Sequence, residues 1–69
     1  MGSDSDDADL ADRLRDCAAG LADQALGLLR GAMHASDESE RAALAAQEKR
    51  VTRARRAVEK AIGLLDGRE

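Results

Sequence analysis

The large apolar residues in the second half of the chain recur at a fixed interval. Leu44, Val51, Val58 and Leu65 are each seven residues apart. This spacing is typical of a helix that packs lengthwise against another helix. We therefore expect a helix over 37–66, about 45 Å long at ~1.5 Å per residue. Its expected core face is Leu44, Val51, Ala54, Val58, Ala61, Ile62 and Leu65.

The first half of the chain predicts a second helix, over 8–33. Asp6, Asp7 and Asp9 favour its start, because carboxylates stabilise the positive end of the helix dipole. Its apolar ridge has spacings of three and four that average closer to an 11-residue repeat, so we expect a nearly straight helix. As a ridge residue, Cys17 is expected to be a small buried hydrophobe. The ridge consists of Leu10, Leu14, Cys17, Leu21, Ala25, Leu28 and Ala32.

A short link over 34–36 joins the two predicted helices. Ser36 or Asp37 is expected to cap the second helix, and Gly67 to end it. Residues 1–7 are expected to form a disordered acidic tail, and 67–69 a short second tail. A link this short makes the helices antiparallel neighbours. The expected fold is all-α: one hairpin domain over 8–66.

Two apolar patches remain unused by the hairpin core. A chain of 69 residues with one cysteine forms no internal disulfide, and its single core rarely supplies more than ~3–5 kcal/mol. We therefore expect the hairpin to dimerise into an antiparallel four-helix bundle, although a different helical protein would satisfy the same faces. The predicted partner or dimer interface consists of Leu26, Leu29, Met33, Ala57, Ala61 and Leu64.

The net charge of −3 is unevenly divided, with an acidic beginning and a basic second helix. Lys49, Arg53, Arg56 and Lys60 are spaced to line one face of that helix. One interpretation is a solvated face with weak ion pairs. The other is contact with phosphates or with an acidic partner protein. The overall acidity and the absence of aromatic residues disfavour nucleic acid, because no side chain can stack on bases.

The sequence contains no recognisable catalytic or ligand-binding motif. It has no glycine-rich phosphate loop, HExxH, CxxC or G-x-S-x-G. His34 is the only histidine and lies about 25 Å along the chain's helix from Cys17, at ~1.5 Å per residue. We therefore expect no enzyme activity, cofactor, metal or small-molecule substrate. No apolar run is long enough to cross a membrane, and a lone thiol favours a reducing cytoplasm.

The size and plan resemble those of the Rop-type RNA-binding regulators: two helices, a very short link and dimerisation. The resemblance is architectural, and no residue motif of that family is present. The leading hypothesis is a small non-enzymatic interaction module, acting as an adaptor, regulator or assembly subunit through helix–helix contacts. The alternative is a Rop-like nucleic-acid-associated regulator that uses the basic face of the second helix. The alanine- and arginine-rich composition suggests a bacterial, GC-rich genome.

Overall fold

The protein is an antiparallel hairpin of two long helices. The computed structural model describes residues 2–67, with side chains described from residue 6 onward. Helix α1 spans Gly2–His34 and helix α2 spans Glu38–Leu65, joined by residues 35–37. The predicted all-helical hairpin is confirmed. The ion pair between Arg15 and Asp66 and the contact of Gly31 with Leu44 show that the helices run in opposite directions.

Helix α1 begins earlier than the sequence indicated. It starts at Gly2 rather than near Ala8, so residues 2–7 are helical and the predicted tail is wrong for them. The run of aspartates accounts for this extension, because carboxylates in the first turns stabilise the amino end of a helix. Met1 and the predicted tail beyond Gly67 lie outside the described residues.

The link is fixed by hydrogen bonds at both helix ends. Asp37 caps α2, as predicted, and its Oδ1 accepts a hydrogen bond from the Glu40 N–H at 2.7 Å. Arg41 then reaches back, and its guanidinium donates to the carbonyls of Ala35 at 3.1 Å and Ala32 at 3.4 Å. These bonds satisfy carbonyls that the end of α1 leaves open. Gly67 ends α2 with φ +72°, as predicted.

The buried face of α1 follows a seven-residue repeat of alanines, two of which, Ala25 and Ala32, belong to the predicted ridge. Half-buried Leu14, Leu21 and Leu28 lie between these alanines, whereas Leu10 and Cys17 are exposed. The predicted 11-residue period and the buried Cys17 are therefore wrong. Small side chains in the core allow the two backbones to approach closely. Alanines therefore occupy the most buried positions of α1, and Leu10 and Cys17 lie outside the contact. The buried alanines are Ala11, Ala18, Ala25 and Ala32.

The inner face of α2 includes two charged residues that were not predicted there. Glu48 and Arg55 are half-buried, and Ala54, which was predicted to lie in the core, is exposed. Glu48 accepts a hydrogen bond from the Thr52 hydroxyl at 2.7 Å. The Nε of Arg55 is buried without a hydrogen bond, 4.0 Å from the Glu59 carboxylate. The inner face is Leu44, Glu48, Val51, Arg55, Val58, Ile62 and Leu65.

The hairpin is an elongated ribbon with a thin core. Its Cα extents are 56 × 18 × 12 Å and its radius of gyration is 15.8 Å, against about 11 Å for a compact domain of this length. Among the described residues no large side chain is fully buried, and Ile62 is the only large one that is nine-tenths covered. The interior of the hairpin therefore supplies little hydrophobic stabilisation.

Candidate docking surface

A row of large apolar side chains lies on the outside of α1, near the link. Leu26 is 48% exposed, Leu29 43% and Met33 78%. Leu26 and Met33 are three and four residues from Leu29, so the three side chains are neighbours on one side of the helix. We call these three residues the Leu/Met row. The described residues of the hairpin leave Leu26 and Leu29 about half exposed and Met33 mostly exposed, and each would gain from being buried.

The Arg15–Asp66 ion pair shows which side of α2 borders the Leu/Met row. Leu29 lies two heptads after Arg15, and Ala45 lies three heptads before Asp66. Since Arg15 contacts Asp66, their two rows flank the core on the same side of the hairpin. Ala45 is half-buried and Ala42 exposed. These two alanines form a low surface on α2 beside the Leu/Met row, and all five residues together are called the Leu26 face.

The second predicted patch lies on the opposite side of the hairpin, near the chain termini. Leu64 is 57% exposed, Ala57 is exposed and Ala61 is half-buried. Exposed Leu10 lies toward the same side and the same end. We call Leu10, Ala57, Ala61 and Leu64 the Leu64 face. Because a two-fold interface repeats one surface, contact through one face does not also bury the other.

The four predicted basic residues all lie on the exposed surface of α2. Lys49, Arg53 and Arg56 line a shallow concavity together with Glu48 and Thr52. Within residues 6–67, no carboxylate lies within 4.0 Å of Lys49, Arg53, Arg56 or Lys60. Lys49 and Arg56 extend the Leu26 face along α2, so a partner on that face meets apolar surface first and positive charge beside it.

Side chains that could hold a metal ion do not cluster in the described part of the chain. Residues 6–67 contain no group of three His, Cys, Asp or Glu side chains placed to hold a metal ion. Cys17 is a free, exposed thiol. Neither helix, over its described residues, has an apolar stretch long enough to cross a bilayer.

The sequence interpretation found the Leu/Met row but missed the alanines beside it. Ala42 and Ala45 belong neither to the predicted core face nor to the predicted interface. The signal that would have placed them is the heptad of alanines in α1, from Ala11 to Ala32. Reading that repeat fixes the side of α1 that meets α2, and therefore which α2 residues border the Leu/Met row.

Comparison with protein-family models, with curated proteins and with solved structures finds no match to this chain.

Proposed function

We propose that this protein is a small non-enzymatic interaction module, an adaptor, regulator or assembly subunit that docks a helical partner on its Leu26 face. The single observation that carries the proposal is the exposure of the Leu/Met row beside a core in which, among the described residues, Ile62 is the only large side chain that is nine-tenths covered. The partner is either a second copy, which completes an antiparallel four-helix bundle, or a helix of another protein. A bacterial cytoplasm is the setting we propose for it.

The energetic argument rests on what the hairpin leaves uncovered. Fully burying a Leu or Met side chain is worth about 1.5–3 kcal/mol, and the interior of the hairpin buries one such large residue, Ile62. Covering Leu26, Leu29 and Met33 would add apolar burial to a core whose other inward-facing Leu and Val side chains are only half-buried. Folding and docking are therefore expected to be coupled.

The test compares two double variants that each replace exposed leucines by lysine. L26K/L29K alters the Leu26 face, and the matched control L10K/L64K alters the Leu64 face. We expect L26K/L29K to abolish self-association or partner binding in sedimentation equilibrium, and to lower the helicity measured by circular dichroism on dilution. The control is expected to retain both. A fully helical wild-type monomer, unfolding cooperatively at all concentrations and unaffected by L26K/L29K, would refute the proposal.

A second candidate function is supported by the unpaired cations of α2. Four exposed positive charges without carboxylate partners in the described residues favour contact with a polyanion. If this protein is a Rop-like nucleic-acid-associated regulator, R53E/R56E abolishes a salt-sensitive RNA or DNA mobility shift. If the Leu26 face alone carries the function, no shift is observed with the wild type.

A further inference from the structure

We propose that the Leu26 face is covered by a second copy of this chain whose link lies at the same end of the assembly. The two-fold axis then runs parallel to the helices, and α1 of each copy packs on α2 of the other. This inference rests on the proposed function and names its partner. It is argued from surface area, from the shape of the face and from charge.

The exposed area of the hairpin matches what a dimer would bury. The chain exposes 5103 Å², whereas a compact monomer of 7.3 kDa exposes about 4,200 Å². The excess of roughly 900 Å² is close to the ~800 Å² that each partner buries in a standard interface. A second hairpin of the same length laid on the Leu26 face is the simplest object that covers an elongated ribbon along its length.

The shape of the face is complementary to itself in this arrangement. The contacts of Gly31 with Leu44 and of Arg41 with Ala35 set the register of the two helices. Continued along both helices, this register places Met33 level with Ala42 and Ala45. Leu29 lies level with the next turn, between Ala45 and Lys49. A two-fold axis parallel to the helices therefore seats Met33 of one copy on Ala42 and Ala45 of the other, with Leu29 beside Ala45 and Leu26 one turn further on, beside Lys49.

Charges on the outer edges of the same interface are also complementary. The register places Asp16 level with Lys60 and Asp23 level with Arg53, and all four side chains are exposed. Within one copy, the two aspartates point away from α2 and the two basic residues point away from α1, so aspartates and basic residues are far apart. In the proposed dimer, each aspartate lies beside the basic residue at its own level in the second copy. Such edge pairs select orientation more than they add affinity.

The opposite orientation, with the links at opposite ends, places like charges together. A two-fold axis perpendicular to the helices packs α2 on α2. The midpoint of the four basic residues lies between Arg53 and Arg56, near the middle of α2. When two α2 helices pack in opposite directions, their middles coincide, so the basic surface of one copy would lie on that of the other. Full overlap would also place the Leu/Met row against Asp12 and Arg15. Both contacts are unfavourable, because they juxtapose like charges and leave polar groups against apolar ones.

The orientation is tested by measuring the distance between the two links. Ser36 is exposed in the link, and replacing Cys17 by Ser leaves S36C as the single site for a nitroxide label. Pulsed dipolar spectroscopy of the C17S/S36C dimer is expected to give about 15–30 Å, since neighbouring helix axes lie ~8–10 Å apart. Links at opposite ends would give about 45 Å or more, from ~1.5 Å per residue along α2. That longer distance would overturn the inference.

A charge reversal tests the edge pairs independently. Arg53→Glu is expected to weaken dimerisation about tenfold in sedimentation equilibrium at low salt, and adding Asp23→Lys to restore it. Arg50→Glu is the matched control, because it makes the same charge change on an exposed residue toward the Leu64 side. Equal effects of R53E and R50E, or no rescue by D23K, would overturn the inference. A wild-type chain that stays monomeric and partly helical would also overturn it, yet leave docking of another protein in place.

Discussion

At the scale of single residues, the inward-facing positions of this hairpin include alanines on α1 and two charged side chains on α2. Ala11 and Ala18 are buried where the sequence pattern favoured Leu10 and Cys17, because a small side chain lets the helices approach. On α2, Glu48 and Arg55 occupy inward positions between Leu44, Val51 and later apolar residues. Glu48 is satisfied by Thr52, but the Nε of Arg55 has no hydrogen bond.

Arg55 is therefore expected to cost stability at its position. Arg55→Met should raise the free energy of unfolding by about 1 kcal/mol, because an unsatisfied buried polar group costs ~1–3 kcal/mol and methionine keeps the apolar stem in place. The measurement is urea denaturation followed by circular dichroism at fixed protein concentration. Arg53→Met on the exposed surface serves as control, with an expected change within about 0.5 kcal/mol. A lower stability of R55M would show that Arg55 stabilises the core.

At the scale of the elements, the helices have clear ends but α1 carries glycines in its interior. Asp37 and Gly67 determine where α2 starts and stops through a cap and a left-handed turn. At Gly20 and Gly27, within α1, an added Cβ would meet no atom within 4 Å, whereas a Cβ at Gly31 would lie 3.3 Å from Leu44 Cδ1. Of these three glycines, only Gly31 is at a position where an added Cβ would press on a side chain of α2.

Replacing these glycines by alanine is expected to separate the two cases. Gly20→Ala and Gly27→Ala should each stabilise the protein by about 0.5–1 kcal/mol, because alanine loses less backbone entropy in a helix. Gly31→Ala should stabilise less, or destabilise, because Leu44 must move. Thermal unfolding of the three single variants, monitored by the helical circular dichroism signal, measures the difference. Equal gains at all three positions would contradict the close approach at Gly31.

At the scale of the whole molecule, shape and surface matter more than any single contact. The hairpin is 56 Å long and 12 Å thin, with apolar surface on two opposite sides and at opposite ends. Its ion pairs within residues 6–67 involve partly exposed side chains, so each contributes little. The stability of the fold is therefore expected to depend on what covers the Leu26 face.

This dependence predicts a melting temperature that varies with protein concentration. If folding is coupled to self-association, the midpoint rises as the chain is concentrated, since mass action favours the associated folded state. Scans over a hundredfold concentration range are expected to show the rise for the wild type and to lose it for L26K/L29K. Higher salt should lower the midpoint slightly by screening Asp16, Asp23, Arg53 and Lys60. A midpoint independent of concentration would mean that the hairpin is stable without a second copy.

The sequence by itself determined the elements and their approximate ends. The heptad of Leu44, Val51, Val58 and Leu65, the short link and the capping Asp37 predict two antiparallel helices, because these signals act over a few residues of one chain. The exposed Leu26, Leu29 and Met33 were also predicted. Only the tertiary structure decided that Ala11 and Ala18, rather than Leu10 and Cys17, face α2, and that Arg55 faces inward. Helical periodicity allows several neighbouring faces, and the choice between them depends on how closely the second helix can approach.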